Sequence, residues 1–302
     1  MIRLTGPFQL IVTFSRKLRD DYITSFAAET TLFMVISCFP FLMFVISLLE
    51  HLPISGDSMR LICQVFLPPT LNRYAVSLLD RIIPNGSGTM LATTAIAFLW
   101  AGSKGFLSLE RGLNNVYSRL EKRNYFLRRF LSLIYTLLFA LFLILVLVVF
   151  VFGNQVFARI ETTFPSIANL AFLIKSVRTT IGVAVLTILF TAMFLLIPNR
   201  RGQHSSFLTE LPGALFAAVG WLAFSYLYSF YIDNMSNFSA IYGNLTAIVL
   251  CLLWLYICMY ILFVGAEING FLKLYEIRAN ILRRKRKERN QPPLPEDTAQ
   301  RD

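Results

Sequence analysis

The chain has 302 residues, of which 56% are hydrophobic and 14% aromatic, and a formal net charge of +11. Charged residues make up 15%, against about 25% in an ordinary soluble domain. With a mean hydropathy of +0.62 and apolar residues gathered into long runs, a soluble globular fold is excluded and an all-α polytopic membrane protein is predicted.

Residues 1–26 carry Arg16, Lys17, Arg19, Asp20 and Asp21 and lack an apolar run beside a small-residue cleavage site. No cleavable signal is expected, and the first span acts as an uncleaved anchor. Phe8, Ile11, Val12 and Leu18 suggest an interfacial helix ahead of it. The first span is read as Ala27–Leu49, with Glu29 near its start. Pro40 removes a backbone hydrogen bond from its interior and should kink it, a natural hinge. Beyond it, Leu71, Tyr74, Leu78 and Ile82 fall at i, i+3, i+7 and i+11, predicting an extracytoplasmic amphipathic helix that rests on the surface or caps a cavity.

The second span, Thr89–Leu107, leads into Trp100-Ala101-Gly102-Ser103-Lys104-Gly105. If helix continues, Ser103, Leu107, Glu110, Asn114 and Tyr117 share one face. The third span, Phe130–Gly153, is long enough to require tilt. The fourth is Thr179–Ile197, the fifth Leu211–Ile232 and the sixth Leu245–Phe271. Each length suits a hydrocarbon core of about 30 Å crossed at 1.5 Å per residue. Between spans five and six, Asp233 to Asn244 carries no Lys or Arg. Its Asn residues and Gly243 favour a tight turn, with Asn244 capping the next helix.

Charge sets orientation. Arg60, Arg73, Arg81, Arg159, Lys175 and Arg178 fall on one side of these six spans, and every other Lys and Arg falls on the opposite side. The positive-inside rule then places both termini in the cytoplasm. Residues 1–272 form the six-helix transmembrane domain. Residues 273–302 form a basic tail expected to be disordered, with Pro292, Pro293 and Pro295 after the block Arg283, Arg284, Lys285, Arg286 and Lys287. That block anchors topology and meets anionic lipid head groups. It is too short and too close to the membrane to argue for nucleic-acid binding.

The polar residues near one membrane face hold the functional interest. Glu29, Lys104, Glu110, Glu267 and Asn269 fall at similar depth on the cytoplasmic side, with Asn114 one turn beyond Glu110. They either cap and snorkel at helix ends or line a shared substrate or ion path. Small residues recur at four-residue spacing, Ala97, Ala101 and Gly105 in the second span and Gly213 and Ala217 in the fifth. These allow close helix packing within the chain, with contact between two copies as the alternative use.

Absences narrow the chemistry. The only histidines, His51 and His204, fall on opposite predicted sides, so a His-rich metal site is unavailable. Cys38, Cys251 and Cys258 lie in spans and Cys63 in a loop, which makes no disulfide framework. There is no Walker A motif, Gly86-Ser87-Gly88 is only a short loop signal, and nothing calls for a metal or a cofactor.

Several motifs together resemble the YihY / virulence factor BrkB family of six-helix bacterial inner-membrane proteins. They are Ser37 to Pro40; Trp100, Ser103, Lys104 and Gly105; Leu113, Asn114 and Tyr117; then LPGALFAA, NFSAIYGNL, WLY and GAEIN in that order. The similarity covers about residues 15–275. It implies a multi-pass protein of the bacterial inner membrane. Some members once carried a tRNA-processing ribonuclease label, which the residue inventory here opposes. Others are linked with serum resistance and envelope lipid export, which implies a transporter or flippase of an anionic or lipid-like solute. In that reading Lys104, with Arg111, meets an anionic head group, while Glu267 and Glu29 bind a coupling cation or proton or balance Lys104. The alternative is a non-transporting envelope scaffold, built as a packed bundle without a cavity. A membrane-embedded enzyme lacks any nucleophile–base or metal set.

Overall fold

A computed structural model describes residues 7–50, 88–118, 123–163, 171–199, 206–235 and 245–289. All regular structure among them is helical: α1 (Pro7–Asp20), α2 (Ile23–Glu50), α3 (Gly88–Val116), α4 (Tyr125–Thr163), α5 (Ala171–Leu196), α6 (Phe207–Met235) and α7 (Thr246–Arg289). The protein is an all-α polytopic membrane protein. Among the described residues, five stretches are long and apolar enough to cross a bilayer: Ile23–Leu48, Gly88–Val116, Tyr125–Val146, Phe207–Ile232 and Ile248–Leu274. The remaining predicted span falls on α5, whose described apolar stretch is Gly182–Leu196. The amphipathic segment around Leu71–Ile82, the turn with Gly243 and the chain beyond Arg289 lie outside the described residues.

The helices outrun the spans read from sequence, because polar residues with good helix propensity extend an apolar core segment. Helix α3 continues past Leu107 to Val116, and α7 past Phe271 to Arg289. Arg283, Arg284, Lys285, Arg286 and Lys287 therefore lie on the end of α7, not in a disordered tail. No Gly or Pro interrupts the chain between Phe271 and Pro292, so nothing there breaks the ladder. Helix α2 carries Pro40 in its interior without ending.

Helix α2 packs along α3, and α7 packs against α6, α2 and α3. Helix α4 lies on α3, and α5 lies on α6. The shared core joins Leu109, Leu113, Phe194, Ala217 and Phe263, all buried. The outward faces are apolar too, with Leu141, Leu145, Tyr226 and Phe230 more than half exposed. In water such a surface would aggregate; in lipid it is the matching solvent.

Close helix approach depends on small residues. A Cβ at Gly213 would sit on the Gly265 carbonyl oxygen, and one at Gly265 would lie 2.5 Å from the Gly213 carbonyl oxygen. The two glycines thus mark the α6–α7 crossing, flanked by buried Ala214, Ala217 and Ala218. Gly105 meets α2, where its Cβ would lie 3.3 Å from Met34 Cγ.

Candidate functional site

The end of the bundle that holds the polar residues is closed by buried charge pairs. Helix α1 ends at a tight turn in which Tyr22 takes a left-handed backbone (φ 50°) and its N–H donates to the Arg19 carbonyl at 3.0 Å. Asn115 on α3 donates to the Asp21 carbonyl at 2.8 Å, and Phe14 meets Phe271 edge-on at 5.8 Å. So held, α1 points Lys17 into the bundle. Its Nζ donates to Asp21 at 2.8 Å, to the Glu267 carboxylate, and toward the Val116 carbonyl at 3.4 Å. Burial pulls the Lys17 ammonium down, but the bonds and attraction from Asp21 and Glu267 outweigh it and its pKa lies above the ordinary value. Glu267 is fully buried, and its second oxygen has no hydrogen-bond partner among the described residues.

A second pair lies on the other face of α7. Lys273 Nζ donates to Glu210 Oε1 at 2.6 Å and the Tyr117 hydroxyl donates to Glu210 Oε2 at 2.7 Å. Glu210 has 0% exposure. Beside it, Pro212 cannot donate a backbone hydrogen bond. The buried Asn269 amide ties α7 to the backbone on either side of that proline: its oxygen accepts from the Gly213 N–H and its nitrogen donates to the Glu210 carbonyl, both at 2.8 Å. Asn269→Leu removes both buried hydrogen bonds. At about 0.5–1.5 kcal/mol each, a fall in unfolding temperature is expected in a detergent thermal melt, with Asn269→Gln costing less than Asn269→Leu.

A third group joins α3 to α4 and α5. Buried Glu110 lies 3.4 Å from Arg123 and 3.6 Å from Arg128, and Asn114 Oδ1 accepts from the Asn199 N–H at 2.7 Å. Each pair sits in a low-dielectric interior where removing one partner is costly.

Residues 14–291 match the family model described as Virulence factor BrkB. The chain belongs to the virulence factor BrkB family. It is 30% identical over 247 residues to the "Putative ribonuclease-like protein YfkH" of Bacillus subtilis (strain 168), covering 82% of this chain and 88% of that one. It is 25% identical over 287 residues to a UPF0761 membrane protein of Aliivibrio fischeri (strain MJ11), covering 91% and 86%. A UPF0761 membrane protein of Paraburkholderia xenovorans is 23% identical over 268 residues, covering 87% and 59%. No solved structure matches. This BrkB-family chain is a multi-pass protein of the bacterial inner membrane.

In this BrkB-family chain the polar residues predicted to share one depth divide into separate partnerships. Glu267, Asn269, Glu110 and Asn114 are buried. Glu29 instead pairs with Arg111 where both side chains keep access to the surroundings, 35% and 43%. Pairs of that kind contribute about 0–1 kcal/mol, so Arg111→Ala should shift stability by less than about 1 kcal/mol in the same melt. Lys104 balances neither Glu267 nor Glu29: its Nζ lies 5.6 Å from the Phe33 ring and 5.9 Å from the Trp100 ring. The partner of Glu267 is Lys17, which the sequence reading passed over as a topology charge. Glu210, Lys273, Arg123 and Arg128 were missed for the same reason, since charges beside spans read as anchors. The one signal for Glu210 was its place directly before LPGA.

Proposed function

We propose that the chain is a transporter or flippase of an anionic or lipid-like envelope solute, and that its ion-paired end is a closed cytoplasmic gate with α1 as the latch. The observation that carries this reading is the Lys17–Glu267 contact. A carboxylate at 0% exposure inside an apolar bundle is held by a cation from a helix outside the spans, and one of its oxygens lacks a partner. Buried ion pairs are weak devices for stability, since well-packed apolar residues do as well or better. They serve well as contacts that exchange one partner for another, and intramembrane ionisable groups commonly mark substrate or ion paths. Release of Lys17, with a proton or solute cation taking its place on Glu267, would free α1 and open that end. The positive-inside pattern supports a cytoplasmic side for this gate.

A non-transporting scaffold would tolerate Glu267→Gln. In reconstituted vesicles we expect Glu267→Gln, which cannot hold Lys17 as an ion pair, to loosen the gate and raise solute or lipid transfer about tenfold, the size of one charge-assisted contact, while folded protein is retained. Lys104→Ala, remote from the pairs, is expected to have the smaller effect. Wild-type transfer by Glu267→Gln would overturn the gate assignment.

A further inference from the structure

Helix α4 packs on α3 and α5 packs on α6, and a groove of about 140 Å³ lies between residues of α3, α4 and α5. Phe106, Tyr135, Phe139, Phe142, Leu189 and Met193 help line it, and no charged residue does. From Tyr135 to Phe142 along α4 is about 10 Å at 1.5 Å per residue. That is less than the half-thickness, about 15 Å, of a hydrocarbon core of about 30 Å. The volume is below the about 300–1,000 Å³ of a small-molecule pocket, which suits one thin chain entering from the side and not a compact solute.

A polar, basic cluster lies beside the Tyr135 end of the groove. The Tyr135 hydroxyl donates to the Leu196 carbonyl at 2.8 Å, and the Arg123 guanidinium lies near enough to interact with it. Arg123 and Arg128 flank the Glu110 carboxylate at 3.4 and 3.6 Å. Arg129 lies over the Trp100 ring at 4.5 Å nearby. An apolar slot within one leaflet, ending beside clustered guanidinium groups, complements a lipid with an anionic head group.

We propose that this groove holds one acyl chain of an anionic phospholipid, with the head-group phosphate against Arg123 and Arg128. The site deepens the transport reading, since it names where a lipid-like solute would enter, and rests on that reading for its purpose.

The test uses the full chain in nanodiscs containing phosphatidylglycerol with a diazirine on its acyl chain, with mass-spectrometric mapping of the photolabel. Labelling is expected on the groove faces of α4 and α5. Ala192→Phe, which fills the groove, should lower it about tenfold or more. Val219→Phe, on the exposed face of α6, should leave it unchanged. Phosphatidylglycerol should outcompete phosphatidylcholine about tenfold at the groove, and Arg123→Gln should abolish that preference. Arg128 remains in that variant to balance Glu110. Where Ala192→Phe does not fold, as judged by gel filtration, the Arg123→Gln comparison decides. Uniform labelling of all lipid-facing helices, or equal labelling by both lipids, would overturn the site. Lipid transfer in vesicles is measured in parallel. Groove labelling without transfer keeps the site and overturns the transport reading; transfer without groove labelling does the reverse.

Discussion

Lys17→Ala should cost about 3–5 kcal/mol of stability, the penalty for leaving a buried charge without its partner. The expectation follows from asymmetry. Lys17 keeps 19% side-chain exposure and a second carboxylate at Asp21, whereas Glu267 has 0% exposure. Losing the lysine therefore strands the acid, while losing the acid leaves the lysine solvated and still paired with Asp21. Glu267→Gln alone should cost less than Lys17→Ala, and adding Glu267→Gln to Lys17→Ala should recover most of the loss. Thermal melts of the three variants in one detergent measure this cycle. Additive losses would show that Lys17 acts elsewhere. The pH dependence has a defined sign. Because the folded Lys17 pKa lies above its ordinary value, its contribution is fully present below about 10.4 and fades only as the pH rises through the folded value. Deprotonation of Lys17 should therefore cause no loss between pH 6 and pH 9.

Gly213→Ala is expected to be the most damaging single methyl addition among the described glycines. Its Cβ would collide with the Gly265 carbonyl oxygen and lie 2.7 Å from the Asn269 side chain. Backbone cannot step aside as a flexible side chain can, so α6 and α7 must separate. That would break the Asn269 bridge to Gly213 and Glu210 and disturb the Glu210–Lys273 pair beside it. Overpacking typically costs about 1–3 kcal/mol and sometimes more; with the amide bridge lost as well, we expect at least about 3 kcal/mol and little folded protein on gel filtration. Gly182→Ala, which meets nothing within 4 Å, is the control and should behave as wild type. Equal yields of the two variants would contradict the close crossing.

These two sites show how far sequence reading reaches. Apolar length alone predicted the spans on α2, α3, α4, α6 and α7, because bilayer thickness imposes it, and the LPGA and GAEIN motifs marked the places that become the α6–α7 crossing. Spacing along one helix placed Glu110 and Asn114 on a shared face, and both are buried. The partners of those groups were not legible. Which lysine reaches Glu267 depends on a turn at Tyr22 and on packing between residues 250 positions apart, which no local pattern encodes. Lys104 looked like the natural counter-charge because its depth matched. Depth says nothing of azimuth, and its side chain lies instead against Phe33 and Trp100. The helix ends were underestimated because hydropathy stops at the membrane surface while helix propensity does not.

If α1 is the latch of a cytoplasmic gate, it must leave the bundle for transport to occur. That release can be tested by pinning α1 to α7 at Phe14 and Phe271, whose rings are 5.8 Å apart. Both would be changed to cysteine in a chain whose native cysteines are replaced by alanine, then joined by a short reducible bifunctional thiol reagent. Leaflet-to-leaflet transfer of fluorescent phosphatidylglycerol would be followed in proteoliposomes. Transfer is expected at the level of empty vesicles while the link is intact, with recovery after reduction. Transfer that proceeds at the same rate with α1 linked would contradict the latch role.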